Sequence, residues 1–304
     1  MLVGTDLREA EKFLKISKQY ARINDFEKAI KYCKQSIDLG NEEAEKYLPE
    51  LCFNGAKFCE KQKHFKKAVE FCQKSIDLGN EEAKKYLPKL LKLQADEYSR
   101  GGLYYYRLNN YSQAIECYTQ AIKLNPNLAE AYYGRGCAYY KLQDAEKAIE
   151  DFNQAIKLNP NYADVYHSRG NIYYNSRRYD KAIEDYAQAI NLNPDDEKAY
   201  LYRGNSHYKL EEYAEAIEDY TQAIKINPNF YQAYNNRGKT YYNSGEYDRA
   251  IEDYTQAITI NPRYENEKAY KNRGLCYQAL GRNAEAAKDF AKAEDLKGIW
   301  DLLW

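Results

Sequence analysis

Residues 129–162 read AEAYYGRGCAYYKLQDAEKAIEDFNQAIKLNPNY. Two amphipathic helices fit this stretch. In the first half Tyr132, Gly136 and Tyr139 recur at four- and three-residue steps, and in the second Ala148, Phe152 and Ala155 do the same. Each set makes one apolar face. Gly136, Ala148 and Ala155 lack bulk, so the two faces can meet closely. Asn159-Pro160 stops the second helix, because proline removes an N–H and restricts the residue before it; proline is also suited to start the next segment.

The unit is copied. Asn-Pro recurs at 125, 159, 193, 227 and 261, a step of 34 residues, and Ala-Ile follows the same step from 114 to 250. Arg-Gly recurs at 135, 169, 203 and 237, and its last copy, Arg273-Gly274, comes two residues late, as though Glu265 and Asn266 were inserted. A period of this length marks a stack of helical hairpins, each burying its apolar face against its neighbours.

Tyr132, Gly136, Tyr139, Ala148, Phe152 and Pro160 resemble the tetratricopeptide-repeat (TPR) signature, with Tyr132 where that family often has Trp. Further units begin at Ala95, Ala163, Glu197, Tyr231 and Glu267. The N-terminal third is divergent: residues 26–49 and 65–88 match at a step of 39 and carry Leu-Gly-Asn-Glu-Glu-Ala, similar to Sel1-like repeats. Gly40 and Gly79 suit helix stops, Asn41 and Asn80 suit N-caps, and Pro49 and Pro88 are expected to break or kink the helices that follow. The resemblance implies an all-α fold, a right-handed superhelical α-solenoid of about eight antiparallel helix pairs. Its expected divisions are residues 1–94 (two elongated repeats), 95–296 (six regular units) and 297–304, a short apolar tail. That tail holds Ile299, Trp300, Leu303 and Trp304, too few for a full capping helix, and can cap the last pair or dock on another subunit in self-association.

Composition excludes several function classes. The 304 residues carry a formal net charge of −1, so no global basic field draws the chain to nucleic acid or membrane. The N-terminus has no signal-peptide pattern and no run of 18 apolar residues occurs, which points to a soluble, cytoplasmic protein. Seven dispersed cysteines do not form a disulfide framework. Cys52 and Cys59 stand two helical turns apart, too far for one tetrahedral zinc, so Cys33, Cys52, Cys59 and Cys72 read as small core residues. Phosphate-loop, zinc-protease, nucleophile-elbow and EF-hand patterns are missing. Of three histidines, His64 falls in a turn, His207 on a core face and His167 toward the groove with no nucleophile at helical spacing. The expectation is a non-enzyme with no cofactor and no metal.

Comparing the copies with one another exposes a covariation. Arg135, Arg169, Arg203, Arg237 and Arg273 accompany Asp151, Asp185, Asp219, Asp253 and Asp289, and the unit at Ala95 lacks both, with Gly101 and Cys117 in their places. A guanidinium fork can satisfy a carboxylate at a partly dry interface, so each Arg is expected to pair with the Asp of its own hairpin.

In TPR proteins the first helices line a concave groove, and the resemblance therefore nominates matching positions as the ligand surface. These are Tyr106, Tyr140, Tyr174, Tyr208 and Tyr242; His167; Asn171, Asn205 and Asn236; and Lys239, Lys268 and Lys271. The tyrosines either meet a ligand or cover the neighbouring unit. Acid gives way to lysine along these helices, from Asp96, Glu130 and Asp164 to Lys198, Lys209, Lys239, Lys268 and Lys271. The family's carboxylate clamp is matched only by Asn205, Asn236 and Lys268, since Leu201 and Asn272 replace two required cations. The implied function is a protein-interaction scaffold or adaptor that holds another protein, an extended acidic peptide segment, in the groove. The alternative is a single-stranded nucleic-acid binder using stacked tyrosines and groove lysines.

Overall fold

The computed structural model describes residues 4–261 and 267–301, with side chains for 6–261 and 267–296. Among the described residues there are sixteen α-helices and no strand. Helices that follow one another pack together from the first through the sixth and from the eighth through the sixteenth. The chain divides into two compact units, residues 1–138 and 139–304.

The first unit holds α1 (Gly4–Arg22), α2 (Phe26–Asp38), α3 (Glu42–Lys61), α4 (Phe65–Asp77), α5 (Glu81–Arg107), α6 (Tyr111–Leu124) and most of α7 (Ala129–Lys141). Asn41 and Asn80 cap α3 and α5 by accepting two backbone N–H bonds each. Neither proline breaks its helix: α3 runs through Pro49 and α5 through Pro88, correcting the expected break. Burial on both sides of the proline keeps these helices going, with Ala44, Leu48, Leu51 and Cys52 in the core around Pro49. Pro49 itself gains a bond, its carbonyl accepting from the Ser75 hydroxyl at 2.7 Å. Hydroxyls and thiols make the same kind of bond elsewhere in this unit. Ser17 donates to the Ala29 carbonyl, Ser36 to Ala10, Cys33 to Ala44 and Cys72 to Ala83. Helix α5 is 27 residues long and passes 94/95 without interruption.

The second unit continues with α8 (Ala145–Leu158), α9 (Ala163–Asn175), α10 (Tyr179–Leu192), α11 (Glu197–Lys209), α12 (Tyr213–Ile226), α13 (Tyr231–Asn243), α14 (Tyr247–Ile260), α15 (Glu267–Ala279) and α16 (Asn283–Asp301). Asn159, Asn193 and Asn227 end their helices in extended backbone, the conformation a following proline demands. Those prolines lie in the turn, three residues ahead of the next helix, and do not start it. The backbone of α16 continues through residues 297–301, so the tail begins as helix; the side chains of Ile299 and Trp300, and Leu303 and Trp304 altogether, lie outside the described residues. So do Glu265 and Asn266.

Small residues let the helices of a pair approach. A Cβ on Gly204 would sit 2.8 Å from the Tyr220 ring, and one on Gly274 would sit 2.7 Å from Phe290. Tyr186, Tyr220 and Tyr254 fill the spaces so formed and are almost wholly buried. The turn inside each pair carries one residue in left-handed conformation. It is Asn24, Lys63, Asn109, Gln143, Arg177 or Glu211 at φ of 57–64°, and Gly245 or Gly281 in the last two pairs.

Candidate peptide-binding face of the second unit

Four arginines meet aspartates in two-pronged bonds. Arg169 Nε and Nη2 donate to Asp185 at 2.8 and 2.6 Å, and Arg203 to Asp219 at 2.9 and 2.6 Å. Arg237 reaches Asp253 at 2.8 Å through both nitrogens, and Arg273 reaches Asp289 at 2.7 and 2.8 Å. In each pair the carboxylate is buried and the guanidinium lies over the ring of the tyrosine three residues earlier. This is why Tyr166 and its equivalents are half-buried. Burial pushes the Asp185, Asp219 and Asp253 carboxyls up, while the guanidinium pulls them back. Asp151 is likewise buried, and Arg135, in the first unit, donates to Thr119 at 3.1 Å.

That last bond belongs to a second pattern, which the sequence comparison missed. The third arm of the fork, Nη1, reaches back to the preceding pair: Arg169 to Asn153, Arg237 to Thr221 and Arg273 to Thr255. Thr or Asn sixteen or eighteen residues before each arginine was the available signal. Arg203 meets Ala187 at this position.

The nominated tyrosines are held from within. Tyr106 packs on Tyr111, Tyr174 on Tyr179, Tyr208 on Tyr213 and Tyr242 on Tyr247, always the first residue of the next helix. The hydroxyls of Tyr140 and Tyr208 accept from Asn175 and Asn243, one repeat later. His167 bonds the N-cap Asp196 at 3.1 Å and sets its edge against Tyr186 and Tyr202. Burial acts to raise the Asp196 pKa, but the bonds from His167, Ala199 and Lys198 bring it below the ordinary value. His207 is half-buried rather than in the core, its Nδ1 2.6 Å from Glu212. The reason is the arginine fork beside it, which keeps that edge of the pair polar.

Asparagines complete the face. The Tyr186 hydroxyl donates to Asn171 Oδ1 at 2.8 Å, and the Tyr220 hydroxyl to Asn205 Oδ1 at 2.9 Å. Asn205 Oδ1 also accepts from Asn236 Nδ2 at 2.8 Å. Lys239 stands with its ammonium 4.9 Å from the Tyr208 ring centre. Tyr174, Asn205, Tyr208, Asn236 and Lys239 thus come together, and with Lys209 and Tyr220 they line a cavity of about 180 Å³. Tyr220 occupies the position of the core residue Phe152, and only its extra hydroxyl marks it as more than core. Lys268 and Lys271 are exposed on α15 and do not line the cavity. Leu201, where a clamp cation would stand, is buried.

Among the described residues no three Cys, His, Asp or Glu side chains are placed to share a metal ion, and no helix is long and apolar enough to cross a membrane. Burial pushes the Cys33 thiol up to about 11 and the Cys276 thiol up to about 12.

Models described as TPR repeat match residues 102–143 and 204–245, and models described as Tetratricopeptide repeat match 129–162, 163–196, 231–264 and 267–298. Among curated proteins the sequence has no significant match. Solved structures similar to the chain include MamA, at 29% identity and a TM-score of 0.53, covering 55% of this chain and 96% of MamA. A second is pilF of Pseudomonas aeruginosa, at 20% identity and a TM-score of 0.58, covering 67% of this chain and 91% of pilF. A third is YrrB, titled a TPR protein with an unusual peptide-binding site, at 23% identity and a TM-score of 0.51, covering 56% and 87%. The last two show the fold alone. With repeat matches over more than half its length and helix pairs throughout the described residues, the chain belongs to the tetratricopeptide-repeat family.

Proposed function

We propose that this protein is an interaction scaffold whose second unit binds an extended acidic segment of a partner protein along α9, α11 and α13, with Lys268 and Lys271 of α15 extending the charge. The observation that carries this reading is the cavity bounded by Tyr174, Asn205, Tyr208, Asn236, Lys209 and Lys239. Neither lysine forms an ion pair among the described residues, so both ammoniums are open to a ligand carboxylate. Tyrosines already packed into place offer broad contact area at little entropic cost, and asparagines offer hydrogen bonds to an extended backbone.

The test is fluorescence anisotropy with a labelled dodecapeptide of alternating Glu and Gly, beside its Lys–Gly counterpart and a single-stranded oligonucleotide. The acidic peptide should bind, Lys239→Glu should slow its association and flatten its salt dependence, and Tyr208→Ala should weaken it by about 1–3 kcal/mol. Equal binding of the Lys–Gly peptide would overturn the reading. Tight, steeply salt-dependent binding of the oligonucleotide would replace it with the nucleic-acid alternative.

A further inference from the structure

We infer that Tyr220 is a positioning residue that turns the Asn205 amide, so that its N–H groups face ligand oxygen atoms in the cavity. The inference rests on the binding face proposed above and adds a rule for what enters it.

A side-chain amide has two faces of opposite character, and in water it presents either. Asn205 has no such choice. Its carbonyl oxygen is turned toward the protein, where it accepts from the Tyr220 hydroxyl at 2.9 Å and from Asn236 Nδ2 at 2.8 Å. A carbonyl oxygen has two lone pairs, and both are spoken for. Turning Asn205 alone would set its NH2 against the Asn236 NH2, which cannot accept, and would make the buried Tyr220 hydroxyl an acceptor, its own hydrogen losing the Asn205 oxygen. What Asn205 has left for a ligand is therefore its N–H groups.

The hydroxyl that holds the amide is itself fixed. Tyr220 is 1% exposed, packed between Gly204 and the hairpin core, and its ring has no room to swing. The same device recurs one repeat earlier, where Tyr186 holds Asn171 Oδ1 at 2.8 Å. One repeat later the matching first-helix position is Lys239, which has no acceptor to turn. Asn171, Asn205 and Lys239 hence form a run of donors on consecutive first helices. With Lys209 beside them, these groups meet a ligand carboxylate or backbone carbonyl as donors, while the Asn236 carbonyl and the Tyr174 and Tyr208 hydroxyls of the cavity can still accept.

Tyr220→Phe removes one oxygen and keeps the ring in its slot, so it separates positioning from packing. Asn205→Ala removes the amide, and the double variant closes the cycle. With the Glu–Gly dodecapeptide as probe, Tyr220→Phe should lose most of the affinity that Asn205→Ala loses, and the double variant should lose no more than Asn205→Ala alone. Thermal unfolding of Tyr220→Phe should stay within a few degrees of the parent. Independent losses that multiply in the double variant would overturn the inference, even if Lys239→Glu still weakens the probe and so leaves the binding face standing.

A second measurement needs no ligand. In nuclear Overhauser spectra of the parent protein the Asn205 NH2 protons should show cross-peaks to Tyr208 or Lys239 side chains. Strong cross-peaks from them to the Tyr220 ring instead would show the amide turned the other way and overturn the inference whether or not the peptide binds.

Discussion

Arg203 and Asp219 meet in a fork, Nε to Oδ2 at 2.9 Å and Nη2 to Oδ1 at 2.6 Å, with the carboxylate side chain 4% exposed and the guanidinium 24%. Removing Arg203 strands the Asp219 carboxylate in a place that little water reaches. Arg203→Ala should cost about 3–5 kcal/mol, and the double change with Asp219→Ala should recover part of that loss. Urea unfolding of the four proteins in this cycle measures the coupling; a coupling near zero would mean that the pair is geometry without consequence.

The same arginine invites an improvement. Sixteen residues before it stands Ala187, whereas Arg237 has Thr221 at that step and bonds it at 2.9 Å, and Arg273 bonds Thr255 at 2.9 Å. Ala187→Thr should supply the missing acceptor and raise stability by about 0.5–1.5 kcal/mol, the net worth of an ordinary intramolecular hydrogen bond. Ala187→Val, with the same shape and no hydroxyl, should not. A shift in the urea midpoint shared by both variants would trace the gain to packing.

Turns offer a third measurement. Glu211 sits at φ 63° in the place held by Gly245 at φ 79° and Gly281 at φ 73° in the last two pairs. Left-handed backbone costs an L residue roughly 1–2 kcal/mol, and glycine gives back about half of that in chain entropy. Glu211→Gly should therefore stabilise by about 0.5–1 kcal/mol, whereas Gly245→Ala should destabilise by about the same amount. Opposite signs in thermal melts are the expected result.

Asp196 should be one source of acid sensitivity. Its pKa is held down in the folded protein, so its stabilisation is complete above the unfolded value of about 3.9 and is lost as pH falls through the folded one. Asp185, Asp219 and Asp253 have raised values; they take up protons sooner when folded and add no acid lability. Asp196→Ala should cost about 1–2 kcal/mol near neutral pH through its lost N-cap, and the deficit should shrink as pH falls through the folded pKa. A deficit constant from pH 7 to pH 2.5 would assign the effect to packing instead.

Much of the fold was legible because the repeat supplies its own alignment. The Asn-Pro step marks where helices end, and the joint loss of Arg and Asp at Gly101 and Cys117 links two positions sixteen residues apart. Pro49 and Pro88 misled because a proline's local penalty is small beside the burial of a whole helix. The site was legible in position but not in orientation. Spacing puts Asn205 and Tyr208 on the same face, yet it says nothing of which oxygen Asn205 turns inward or that Tyr208 already leans on Tyr213. Those depend on rotamers, which are decided by neighbours one repeat away.

The hydroxyl and thiol bonds of the first unit carry a consequence of their own. Ser17, Ser36, Ser75, Cys33 and Cys72 tie backbone carbonyls with neutral groups, where the second unit uses charge. A thiol can be alkylated or oxidised, and a serine cannot; a guanidinium–carboxylate fork responds to neither reagent. Chemical stress therefore falls unevenly along this chain: oxidants reach the N-terminal packing through its sulfur atoms during transient openings, while the C-terminal stack keeps its ionic fastenings.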